Sequence, residues 1–139
     1  SAMQKKKLDV GACYAIADSA KLLDRFFMHV HTLAMICLQF TKRPIALGAA
    51  IWSKSLFHQK LGGFSSDIKF CEDLEYVTQA KQKGSFGVLT AAPVIFSMRR
   101  FSEEGRWHLV SKTLRGFWHH LTHKSMVNNK IIYHFGKHK

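Results

Sequence analysis

The 139 residues predict an α/β fold, with helices around a small mixed sheet, on three observations. Apolar residues recur at helical spacing over residues 19–41, 72–83 and 102–124. Short β-prone runs stand at Phe86–Leu89 and Val94–Phe96, and Pro44, Gly62 and Gly84 supply stops between segments. With 47% apolar residues there is enough to bury one core, and no repeat or Pro/Gly-rich linker divides residues 1–139, so a single domain or half domain is expected. Ser1-Ala2-Met3 reads as an expression scar, and nothing resembles a signal peptide.

The first helix is expected from Ser19, which can cap it, to about Thr41, before the stop at Pro44. Leu22, Phe26, Val30, Leu33 and Cys37 form its apolar stripe, with Leu23, Phe27, Ala34 and Leu38 adjoining. Core packing is the expected use of that stripe, with burial in a membrane interface the alternative. Ile45–Trp52, with Gly48 and small alanines, suits a buried strand or an extended segment beneath a ligand. A short helix from about Ser53 should end at Gly62, where a left-handed cap is cheapest, followed by a loop over Ser65–Cys71. Glu72–Lys83 should be helical with Leu74, Val77 and Ala80 inward. The two β-prone runs are expected as separate strands, parted by Thr90–Pro93. From Ser102 a basic amphipathic helix is expected, with Trp107, Val110, Leu114, Phe117, Trp118 and Leu121 on its apolar side and Arg106, Lys112, Arg115, His119 and Lys124 around it. Ile131–Phe135 suits a last strand or an ordered tail.

The formal charge of +12 implies an anionic partner: a phosphorylated substrate, an acidic lipid surface or nucleic acid. Residues 97–139 concentrate it, with nine Lys/Arg against two Glu and six of the nine histidines. Cys13, Cys37 and Cys71 are odd in number and widely spaced, which suggests neither a disulfide framework nor a metal knuckle and points to a reducing compartment. The longest apolar stretch, Phe26–Phe40, is interrupted by polar residues and too short to span a bilayer, so any membrane role would be at the surface.

The residues most suggestive of chemistry are Leu61-Gly62-Gly63-Phe64, Glu72-Asp73-Leu74 and Arg99-Arg100-Phe101. Carboxylates at a helix N-terminus commonly do no more than complement the dipole. Their company here argues for a site as well. Gly62 and Gly63 allow close backbone approach to a ligand, Phe64 and Trp52 offer faces for stacking, and Arg99, Arg100 and Arg106 can answer phosphate charge.

In order and approximate spacing, Gly48-Ala49-Ala50-Ile51, Leu56-Phe57, Leu61-Gly62-Gly63-Phe64, Glu72-Asp73-Leu74-Glu75, Gly84 and Ser97-Met98-Arg99-Arg100-Phe101 resemble the C-terminal, acceptor-side half of the catalytic domain of family 2 glycosyltransferases, inverting enzymes of GT-A fold. The resemblance covers residues 44–110. It implies a partial GT-A fold and transfer of a sugar from a nucleotide-sugar donor to a hydroxyl acceptor, lipid-linked or polysaccharide. Asp73 would be the general base, Glu72 would orient the acceptor or the helix end, and Gly62, Gly63 and Phe64 would line the acceptor site. Glu103-Glu104-Gly105-Arg106-Trp107 lies where processive members carry Gln-x-x-Arg-Trp, whose Trp supports the acceptor sugar; Glu103 departs from that pattern, and Trp107 is otherwise a core residue. Many relatives have a metal-holding histidine at the position of Phe96-Ser97, and His108 is the candidate to replace it. Relatives hold Mg or Mn through an Asp-x-Asp, whereas Asp9, Asp18, Asp24 and Asp67 here are isolated. The resemblance therefore implies a fragment that does not itself hold the metal and is inactive alone, from a cytoplasmic enzyme peripheral to the membrane.

Three other uses of the residues compete. His119-His120-x-x-His123 places two histidines four apart for a metal, although a solvated basic face explains them more simply. Nucleic-acid binding fits the charge, but Trp107, Phe117 and Trp118 fall on the apolar stripe and not among the cations. Docking of the last helix on an anionic membrane is compatible with transfer to a lipid-linked acceptor. A half domain would also expose sheet edges and apolar faces, which invites self-association. Acidification through the histidine range should make the C-terminal third more cationic and tighten binding to anionic vesicles; binding that ignores pH would count against an electrostatic role for that segment.

Overall fold

The computed structural model describes residues 2–65, 68, 71–103 and 105–122. At its centre lies a strand that the sequence analysis did not identify, β1 (Val10–Asp18). Its Val-Gly-Ala-Cys-Tyr-Ala-Ile-Ala-Asp run carries glycine and three alanines, poor β-formers, and lacks the polar alternation of a half-exposed strand. Burial on both faces explains the pattern, because such strands are apolar along their length. A short helix, α1 (Ala2–Lys5), precedes it.

β1 pairs antiparallel with β2 (Ile51–Ser53) through Val10, Gly11 and Ala12, and parallel with β3 (Phe86–Ser97), giving the order β2-β1-β3. This is a small mixed sheet in an α/β fold. β3 replaces the two strands expected from the sequence. Its register jumps from Cys13↔Leu89 to Ala15↔Val94, so one residue of β1 stands against four of β3. Those four are Thr90–Pro93, and the proline has no N–H to give the ladder. The breaker residues produce an irregularity inside one strand and not a gap between two.

The connection from β1 to β3 holds α2 (Leu22–Leu38), a 3-10 turn at Gly48–Ala50, β2, α3 (Ser55–Leu61) and α4 (Glu72–Lys83). Met35 of α2 and Val77 and Ala80 of α4 meet Val10, Ala12, Phe86 and Val88 in the main core. Alternation along the strands puts those four sheet residues on one face. Leu8, Cys13, Leu89 and Ala50 form a second cluster against Met3 and Leu47. At one end of the sheet Asp9 ties the strands together, accepting from Lys54 Nζ at 2.9 Å and from the Ser85 amide and hydroxyl at 3.1 and 2.9 Å.

Helix α2 corrects the expected core face. Asp24, Met28 and Met35 are buried, whereas Leu22, Leu23, Phe26, Val30 and Leu33 are exposed. Nor does Ser19 cap the helix. The preceding residue is Lys21, and the Ser19 hydroxyl instead donates to Asp24 Oδ2 at 2.6 Å.

The expected long helix after Ser102 is two helices, α5 (Arg99–Glu103) and α6 (Arg106–Thr122). Gly105, at φ +86°, lies between them. Helix α6 is tied to the start of α2 and to the segment that follows α2. At one end Arg106 Nε donates to Asp24 Oδ1 at 2.8 Å and the Phe27 and Trp107 rings meet edge-on at 6.3 Å. At the other end His120 Nε2 bonds to the Pro44 carbonyl at 3.1 Å, necessarily as donor, and the Arg43 guanidinium donates to the His120 carbonyl. His120 is thus buried and not on a solvated face, and Trp107 is exposed and not in the core. Lys124, His123 and the expected last element at Ile131–Phe135 lie outside the described residues. Among the described residues no helix is long and apolar enough to cross a membrane.

The face assignment of α2 predicts opposite outcomes for two substitutions about half a turn apart. Met35→Ala, at a fully buried site, should cost about 2–5 kcal/mol in urea unfolding. Leu33→Ala, at an exposed site, should stay within about 0.5 kcal/mol of the parent.

Candidate active site

Two turns of chain converge on Asp73. The first residue of the 3-10 turn, Gly48, passes so near that a Cβ built there would lie 3.1 Å from Asp73 Oδ2 and 3.3 Å from its Cβ. That is tighter than ordinary side-chain contact, so glycine permits the approach. The Gly48 amide also donates to the carboxylate, and the Leu74 amide donates to Oδ1 at 3.0 Å. Asp73 is therefore held by backbone N–H groups, from Gly48 and from the start of its own helix.

Its electrostatics are unusual for a carboxylate at a helix N-terminus, where the dipole favours the anion. Burial, and then the charge of Glu72, raise the Asp73 pKa to about 6 against the opposing pull of the amide donors. The group is half-buried and still has an open side. Glu72 next to it is exposed. Cys71, the residue before the helix, takes φ +61°, a left-handed conformation that non-glycine residues seldom adopt. Burial and the carboxylates of Asp73 and Glu72 push its thiol up to about 12, so it stays protonated and inert as a nucleophile.

Gly62 caps α3 at φ +83° and Gly63 follows at φ +74°, a pair of left-handed residues that turns the chain back toward α4. The turn delivers Phe64 onto Tyr76 of α4, with ring centroids 4.4 Å apart and nearly parallel. His58 shares a 2.8 Å hydrogen bond between Nδ1 and the Tyr76 hydroxyl and closes the aromatic group at 6.0 Å from Phe64. Gly62, Gly63 and Phe64 thus form the turn that follows α3, whereas Glu72 and Asp73 open α4. Residues His58 and Tyr76 were missed. Eighteen positions separate them, and neither helix-stop chemistry nor the inward positions of α4 marks the pair.

The remaining expected residues lie on α5 and α6. Arg99 is exposed, with Nε 3.6 Å from Glu103 Oε1. Arg100 falls within α5, and its side chain lies outside what is described. Arg106 is engaged by Asp24, which is fully buried. Its guanidinium is the main reason that the Asp24 carboxyl sits below the usual range, the Ser19 hydroxyl being the next. Trp107 and His108 are exposed on the first turn of α6. Among the described residues no group of three or more His, Cys, Asp or Glu is placed to hold a metal ion. Of the rival metal pair His119 and His123, the second lies outside the described residues, and His120 between them is buried.

No protein-family model, no curated protein and no solved structure matches the chain.

A carboxyl whose folded-state pKa is raised binds its proton more tightly in the native state than in the unfolded chain, where the value is near 3.8. The stability it contributes is complete below about pH 4 and is lost as pH rises through about 6. Asp73→Asn, which keeps an acceptor for the two amides, should therefore melt higher than the parent at pH 7–8, by about 1–3 kcal/mol. The difference should vanish at pH 4. Equal pH dependence in the two proteins would show that Asp73 titrates normally.

Proposed function

We propose that this chain supplies the acceptor side of an inverting family 2 glycosyltransferase of GT-A type, with Asp73 as its general base. The observation that carries the proposal is the contact between Gly48 and Asp73. It joins the small-residue segment to the Glu-Asp dipeptide, two parts of the family's pattern separated by more than twenty residues of sequence. The Phe64–Tyr76 stack adds the Gly-Gly-Phe turn to the same pair of helices.

In the proposed reaction Asp73 takes the proton of the acceptor hydroxyl as that oxygen attacks the anomeric carbon of the donor sugar. The carbon–oxygen bond to the diphosphate breaks on the opposite face, the nucleoside diphosphate leaves, and configuration inverts. A pKa near 6 suits this role. The carboxylate is ionised at neutral pH yet more basic than an exposed aspartate, which brings it nearer the pH at which it must accept a proton. The Leu74 amide holds Oδ1 and the Gly48 amide also donates to the carboxylate, and the acceptor would approach the part left accessible. Glu72 and the Gly62-Gly63-Phe64 turn would orient the acceptor, and the ring of Phe64 would give a sugar face something to stack on.

Arg106 is not assigned to donor phosphate, because Asp24 already neutralises it within the fold. Arg99 remains the exposed candidate for that charge. No step is assigned to a metal.

In the intact enzyme, Asp73→Asn should lower kcat by about 10²–10⁴ while leaving the donor dissociation constant within twofold. Gly48→Ala should reduce kcat as well, by displacing the carboxylate without removing it. The parent rate should fall on the acid side with a midpoint near pH 6. Turnover retained by Asp73→Asn would remove the assignment.

A further inference from the structure

Helices α2 and α6 each turn an apolar stripe to solvent. On α2, Leu22 and Phe26 are 80% and 61% exposed, with Leu33 two turns further on. On α6, Trp107 and Trp118 are 74% and 69% exposed, with Leu114 between them. The Phe27–Trp107 edge contact brings the two stripes together, the Arg106–Asp24 pair ties the starts of the two helices, and His120 anchors the end of α6 to Pro44 in the segment after α2. An aqueous protein leaves few such large side chains together uncovered, which makes this face a candidate docking surface.

Charge selects among occupants. The only acid in α2 is Asp24, which is fully buried, and α6 contains none. The exposed charges on the two helices are cationic, with Arg25 beside the first stripe and Arg115 beside the second. A second copy of the same face would bring cations against cations with no carboxylate between them. A nucleic acid would meet the cations but leave the leucines and the phenylalanine in water. An anionic bilayer surface answers both, since apolar side chains enter the headgroup boundary, tryptophans favour that depth, and Arg side chains meet the lipid phosphates. We propose that the paired outer faces of α2 and α6 form a docking surface for anionic lipid bilayers. The proposal stands apart from glycosyl transfer, since none of its residues is placed at Asp73. It also differs from docking by the last helix alone, because half of the apolar surface comes from α2.

The test is flotation of the 139-residue chain with vesicles of equal parts phosphatidylcholine and phosphatidylglycerol, against phosphatidylcholine alone. The chain should partition at least about tenfold more strongly to the anionic vesicles, and added salt should weaken it. In a Trp52→Phe background, fluorescence from Trp107 and Trp118 should shift to the blue on binding. Phe26→Ser with Leu33→Ser on α2 should reduce partitioning as much as Trp107→Ser with Trp118→Ser on α6. Arg25→Glu with Arg115→Glu, which leaves the apolar stripe intact, should abolish the preference for anionic lipid by about tenfold or more. Thermal melting of each variant checks that these exposed positions leave the fold in place. Four results would overturn the proposal: no binding to anionic vesicles, binding unchanged by the α2 pair, a lipid-free dimer that the same substitutions dissociate, or capture of an acidic protein partner by this face in preference to vesicles.

Discussion

The parallel pairing of β1 with β3 is the constraint on which the rest depends. Parallel neighbours cannot be joined by a hairpin, so residues 19–85 must form a crossover connection between the two strands. In crossing, the chain lays α2 and α4 over the face made by Val10, Ala12, Phe86 and Val88, and that contact is the main core. It also inserts β2 on the free edge of β1, where only three residues pair. The 3-10 turn leading into β2 is thereby held at a set height beside α4, and Gly48 comes to rest against Asp73. The candidate site is a by-product of the crossover.

Two aspartates show how environment separates structural carboxylates from reactive ones. Asp24 is enclosed with a guanidinium and a hydroxyl, which favour the anion and pull its pKa down. It fastens the start of α6 to the start of α2. Asp73 is also withdrawn from water, but its charged neighbour is Glu72 and its donors are neutral amides, so burial prevails and its pKa rises. A buried ion pair that is fully satisfied adds order and little reactivity. A carboxylate lacking a cation is poised to take a proton, and such perturbed groups concentrate at functional sites. The same comparison explains why Arg106, attractive as a phosphate ligand by its basicity, has another employment in the folded chain.

The outer face of α2 and α6 follows from how the sheet is covered. Each helix is apolar on more of its circumference than the sheet can bury. On α2 the buried positions are taken by methionines and an aspartate, and Leu22, Leu23, Phe26 and Leu33 are left outside. Methionine adapts to irregular gaps, and the exposed residues are larger and stiffer. A packing optimised only for burial would have chosen the other face. The price of exposing it, in the absence of a cover, is what makes a partner at that surface physically reasonable.

By itself the sequence determined those features that are written locally. Gly62 stops α3 because a left-handed cap needs no side chain, Glu72–Lys83 is helical with Leu74, Val77 and Ala80 inward, and the Gly-Gly-Phe motif ends α3 while the Glu-Asp motif starts α4. Tertiary structure alone decided which face of α2 is buried, since a helix apolar nearly all round gives no direction and the arginine that pairs with Asp24 comes from 82 residues away. It also decided that β1 is a strand, because small residues favour that conformation only when sheet and helices enclose both faces. Partners distant in sequence joined Thr90–Pro93 into one strand with its flanks and placed Gly48 on Asp73. Local propensity acts over a few residues, whereas burial and ion pairing depend on what the fold brings opposite, and no run of neighbouring residues carries that information.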